Sequence, residues 1–88
     1  MEIRLGERVI KFIATFYSQY GAVQFLKNSK TNNIECKLAP VPRTLSSSCG
    51  TCAYYIHTQW NPDFEIVDLE AVYKISDGGY ELLFSLDD

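Results

Sequence analysis

Apolar and polar positions alternate in four stretches of the chain, and the breaks between them divide it into elements. In "RVIKFIATF" (8–16), Ile10, Phe12, Ala14 and Phe16 point one way while Val9, Lys11, Ile13 and Thr15 point the other. A period of two predicts a half-buried strand. "YSQYGAVQFLKNSK" (17–30) changes the period: Ala22, Phe25 and Leu26 fall at i, i+3 and i+4, one apolar stripe of a short helix, with Ser18 as its N-cap. The polar run "KTNN" (30–33) stops it.

"IECKLA" (34–39) alternates again, placing Ile34, Cys36 and Leu38 on one face and Glu35, Lys37 and Ala39 on the other. Pro40 and Pro42 end that strand, because each lacks the ladder donor and restricts its predecessor. "RTLSSSCG" (43–50) is loop by composition, and the aromatic and β-branched "CAYYIHTQW" (52–60) is a third strand. "NPDFEI" (61–66) offers one helical turn, with Asn61 capping and Pro62 at the first position. "VDLEAVYKI" (67–75) is the next strand, "SDGG" a turn, and "YELLFSL" (80–86) its hairpin partner.

The expected fold is therefore α+β. It follows the ferredoxin-like β-α-β-β-α-β plan with a shortened second helix, extended by a C-terminal β-hairpin strand. At 88 residues, positions 1–88 form a single domain. Forty-seven per cent hydrophobic content, with aromatics at 14%, excludes a disordered chain.

The net charge of -3, with 8 Lys and Arg, argues against a nucleic-acid partner, which needs a concentrated basic face. No apolar run approaches the ~20 residues that span a bilayer, so no membrane association is expected. Glu2, Glu7 and Lys11 interrupt any signal-peptide core, and three cysteines form an odd set. Free thiols and a reducing, cytoplasmic setting follow.

The candidate chemistry lies in "APVPRTLSSSCGTCAYYI" (39–56), where Cys49 and Cys52 have the spacing of a dithiol redox pair. Such pairs normally open a helix that supports the first thiolate, yet "AYYIHTQW" has no helical face. In a strand, the two Cα atoms would stand ~10 Å apart, too far for a disulfide. A zinc site drawn from Cys36, Cys49, Cys52 and His57 lacks convergence, since Cys52 and His57 face opposite sides of a strand. Cys36 shares a face with Ile34 and Leu38, the place of an inert thiol. No metal and no other cofactor is expected.

Two readings of the loop remain. In one, Cys49 is a working thiol placed by Ser46, Ser47, Ser48 and Gly50, with Arg43 folding back to stabilise an anion. In the other, 40–50 is a polar connection with Arg43 solvated and Cys49 incidental. No carboxylate pair in a recognisable motif and no phosphate-binding glycine loop points to a hydrolase or phosphoryl-transfer enzyme.

"PVPRTLSSSCG" resembles the signature of the selenium/sulfur carrier-like family. In that family a Pro-x-Pro-Arg segment leads through a serine-rich step to Cys-Gly entering a strand. Here those are Pro40, Pro42, Arg43, Ser46, Ser47, Ser48, Cys49 and Gly50. "FIATFYSQYGAVQFLK" looks like the family's opening strand and helix, and "VYKI" (72–75) like its closing strand. The resemblance implies a ferredoxin-like fold and a carrier or accessory role rather than an enzyme's. Cys49 would accept sulfur or selenium, and Cys52 would resolve the adduct or sit in the strand.

It also implies a donor of cysteine-desulfurase type and a downstream acceptor protein. Two departures stand out: the space for a second helix is short, and "SDGGYELLFSLDD" extends beyond the usual end. Either would leave part of the sheet uncovered, with room for a homodimer. Tyr54, Ile56, Trp60, Tyr80, Leu82 and Phe84 are the apolar residues concerned, as core or as surface.

Overall fold

A computed structural model describes residues 9–86. The elements are β1 (Ile10–Phe16), α1 (Gln19–Thr31), β2 (Glu35–Pro40), β3 (Thr51–His57), β4 (Leu69–Ser76) and β5 (Gly79–Ser85). One five-stranded sheet has the order β2-β3-β1-β4-β5, with every neighbouring pair antiparallel. The fold is α+β, consistent with the ferredoxin-like type, and β5 is the added hairpin strand. None of the described helices is long and apolar enough to cross a membrane.

Helix α1 begins where its cap predicts. Ser18 is extended, and its Oγ accepts from Gly21 N at 3.1 Å while donating to the Asp68 carboxylate. The helix ends at Asn32, whose N–H reaches Asn28 O at 3.1 Å, and Asn33 follows at φ +59°. A short polar side chain tolerates that left-handed turn. Gly21, Ala22, Phe25 and Ser29 form the buried stripe, whereas Leu26, expected in it beside Ala22 and Phe25, is only half-buried.

Phe25 is the hub of the packing. Its ring centroid lies 4.8 Å from Tyr55, 5.5 Å from Phe64 and 5.6 Å from Phe16, distances at which tilted aromatic pairs attract. Phe12, Ala14, Ala53, Leu69 and Val72 complete this core between helix and sheet.

Strand β1 departs from the half-buried expectation. Ile13 and Thr15, on the face away from the helix, are as buried as Phe16 on the helix face. The cause is position: β1 lies between β3 and β4, so side chains of Cys52, Tyr54, Ala71 and Tyr73 flank it in register.

The shortened second helix is not formed. Residues 58–68 make bends and a turn, with Pro62 buried and Phe64 and Ile66 packed on the core. A single helical turn is a costly nucleus with few bonds to offset it. The extended path instead lets Phe64 reach Phe25. Strand β3 likewise stops at His57 rather than running to Trp60, and Tyr55 Oη donates to Trp60 O across the bend. Trp60 then stacks on Phe84 at 5.0 Å, so both join the core, whereas Tyr80 and Leu82 stay exposed.

Candidate functional site

The loop between β2 and β3 returns to the sheet through Val41 N, which donates to Gly50 O at 3.2 Å. Within it, Leu45 N donates to Pro42 O at 3.0 Å, closing a turn behind the prolines. The last residues of the loop are held individually. Ser47 Oγ donates to Phe16 O at 3.1 Å, attaching the loop to the end of β1. Ser48 donates to the Glu70 carboxylate twice, from its N–H at 3.2 Å and its Oγ at 3.0 Å, attaching it to β4.

Cys49 follows, half-buried and packed against the edge of the core. Its Sγ donates to Thr51 O at 3.3 Å and lies 4.0 Å from Ser47 Oγ. Gln19, the first residue of α1, spans the same turn: its Nε2 donates to Cys49 O at 3.1 Å and to Thr51 Oγ1 at 2.7 Å. Between them Gly50 adopts φ +76°, with nothing within 4 Å of where a Cβ would stand. Glycine is required there by the backbone, not by a lack of room.

Ser47, Ser48, Cys49 and Gly50 thus come together as one structured turn. Ser46 and Arg43 are exposed, and no hydrogen bond or ion pair ties Arg43 to another described residue. Cys52 lies in β3 opposite Thr15 and Ala39, fully buried, on the face away from the helix. Cys49 packs instead with the helix-side core, so the two thiols are directed to opposite faces, and both are free. Burial, followed by the neighbouring Cys49, pushes the Cys52 thiol up to about 11. A thiol so held is a poor attacking group near neutrality. Cys36 packs against the core with Ile34 and Leu38, and burial raises its thiol as well.

Gln19, Thr51 and Glu70 were not legible as site residues in the sequence. Gln19 stands 30 residues from Cys49, and Glu70 22 from Ser48, separations that carry no local pattern. The only hint was the N-cap Ser18, which fixed where α1 begins and so which residue its first turn presents.

A family model described as "Putative Se/S carrier protein-like" matches residues 11–59, more than half of the chain. The matched span runs from β1 through β3 and contains the whole loop with Cys49. No curated protein and no solved structure matches the chain.

Proposed function

The chain belongs to the Se/S carrier protein-like family, and from that premise we propose that it carries sulfane sulfur on Cys49. The carrying observation is the half-buried thiol at the head of β3, in a turn fastened to three separate elements and inside the matched span. A carrier needs a thiol within reach of a partner but fixed in place, and loops on a rigid sheet provide that.

The chemistry is a thiol exchange. Cys49 thiolate attacks the terminal sulfur of a donor persulfide, E–S–SH. The new bond joins Cys49 Sγ to that sulfur as the donor's S–S bond breaks. The product is Cys49–S–SH, and the donor leaves as its thiolate, so electrons balance without an outside oxidant. The second step repeats the attack: an acceptor nucleophile takes the terminal sulfur and Cys49 departs as thiolate. The donor class is a cysteine desulfurase, and the receiver a downstream acceptor protein. Cys52, buried and directed to the other face, is a packing residue in this scheme rather than a resolving thiol.

The test is mass spectrometry of the intact chain after incubation with a cysteine desulfurase and cysteine. Added sulfur, removed by reductant and absent from Cys49→Ser, is the expected result. Equal loading of the Cys49→Ser chain would sink the proposal. A loss of two hydrogens, restored by reductant and dependent on both Cys49 and Cys52, would replace it with dithiol redox chemistry.

The exposed Arg43, without a hydrogen bond or ion pair among the described residues, favours one other reading, a loop that recognises a partner without chemistry. That reading predicts partner binding that survives Cys49→Ala and is lost in Arg43→Ala.

A further inference from the structure

We infer that Gln19 is the positioning residue of the Cys49 thiol, because its side-chain amide grips the chain on both sides of Gly50. The inference rests on the carrier reading and adds to it a residue outside the cysteine loop.

The turn itself supplies the reason. Glycine has no Cβ to hold it at φ +76°, so the turn keeps that conformation through its contacts, of which Val41 N to Gly50 O is the one from the residue after β2. Two contacts span the turn. One is the bond from Cys49 Sγ to Thr51 O; the other is Gln19 Nε2 to Cys49 O and Thr51 Oγ1. The first depends on the thiol proton. When Cys49 ionises in order to attack, that donor is gone, and a sulfur anion is repelled by a carbonyl oxygen.

The Gln19 bonds involve no proton of the sulfur, so they persist through ionisation. At the moment of attack, Gln19 therefore keeps Cys49 in register with Thr51. Ser47, Ser48 and Val41 secure the flanking residues, through Phe16 O, Glu70 and Gly50 O respectively. Cys49's own carbonyl is held by Gln19. Its reach is set by the Ser18 cap, which fixes where the first turn of α1 stands.

Positioning and simple stabilisation are separated by two measurements on Gln19→Ala and Gln19→Glu. The first is sulfur transfer from a loaded cysteine desulfurase. The second is alkylation of Cys49 by iodoacetamide across pH, read by peptide mass so that each cysteine is followed separately. For Gln19→Ala we expect transfer to fall at least ~10-fold, since small misplacements of reacting atoms are costly. Alkylation at high pH rises in the same variant, because a freed turn exposes the thiol to a small reagent.

For Gln19→Glu the midpoint of the alkylation profile moves to higher pH, an anion having replaced the donor beside the turn. Unchanged transfer and unchanged profiles in both variants would overturn the inference. So would a fall of transfer with faster alkylation of the buried Cys52 as well as of Cys49, the mark of general loss of structure. If the wild-type chain accepts no sulfur, the carrier reading fails. The alkylation rise in Gln19→Ala and the midpoint shift in Gln19→Glu then still decide the role of Gln19.

Discussion

At the scale of single residues, two cysteines three positions apart have different fates. Cys49 ends a loop and keeps a partly open thiol, whereas Cys52 is fully buried in β3, flanked by Thr15 of β1 and Ala39 of β2. Its thiol rises from the ordinary 9.0 to about 11 because burial penalises the anion. The folded form thus keeps its proton where the unfolded chain has lost it.

This contribution to stability is complete below pH 9 and is lost as pH climbs from 9 to about 11. Denaturant unfolding measured across that window is expected to decline less steeply for Cys52→Ala than for the wild type. Identical slopes would show that Cys52 ionises as freely in the fold as outside it. At pH 8, alkylation of the native chain is expected to leave Cys52 the slowest of the three cysteines.

At the scale of elements, the helix is placed by contacts with the segment that replaces a second helix. Gly21 abuts that segment so closely that a Cβ would come 2.5 Å from Val67 O. Gly21→Ala gains helix propensity, worth roughly 1 kcal/mol, but must displace backbone. We expect a net loss of about 1–3 kcal/mol, the usual range for overpacking. Chemical denaturation checks this, and a stabilised variant would mean the 58–68 segment yields freely.

Ser18→Ala removes both the cap to Gly21 N and the link to Asp68. It is expected to cost ~1 kcal/mol. Because Gln19 is the next residue, it should also loosen the Cys49 turn. Faster alkylation of Cys49 in Ser18→Ala, without loss of the fold, is the corresponding observation.

At the scale of the whole molecule, the family-matched span is not a complete structural unit. Residues 11–59 supply β1, α1, β2 and β3, but β4 is the other neighbour of β1 and delivers Leu69 and Val72 to the core. Glu70, which holds Ser48, also comes from β4. A chain ending at residue 59 is expected to lack cooperative unfolding by circular dichroism, since the central strand would become an edge. Cooperative melting of that fragment would show that β4 and β5 are dispensable additions.

The amino-acid order alone determined the strands and the helix, because alternation and the i, i+3, i+4 stripe depend on neighbours a few residues away. Ser18 as the cap, Pro40 at the end of β2 and the turn before β5 were legible for the same reason. The cysteine loop was legible too, as a composition and as a resemblance. Its fastening was not. Phe16, Gln19 and Glu70 meet Ser47, Cys49 and Ser48 only after β1, α1 and β4 have packed around one core.

The burial of Ile13 and Thr15 likewise follows from the central place of β1, which strand order decides and periodicity does not. The missing second helix has the same origin. "NPDFEI" has local signals for a helical turn, but Phe64 gains more by reaching Phe25 than one turn could return. Local preference is worth tenths of a kcal/mol per residue and burial of an aromatic ring several times that, so tertiary packing decided the path of the chain.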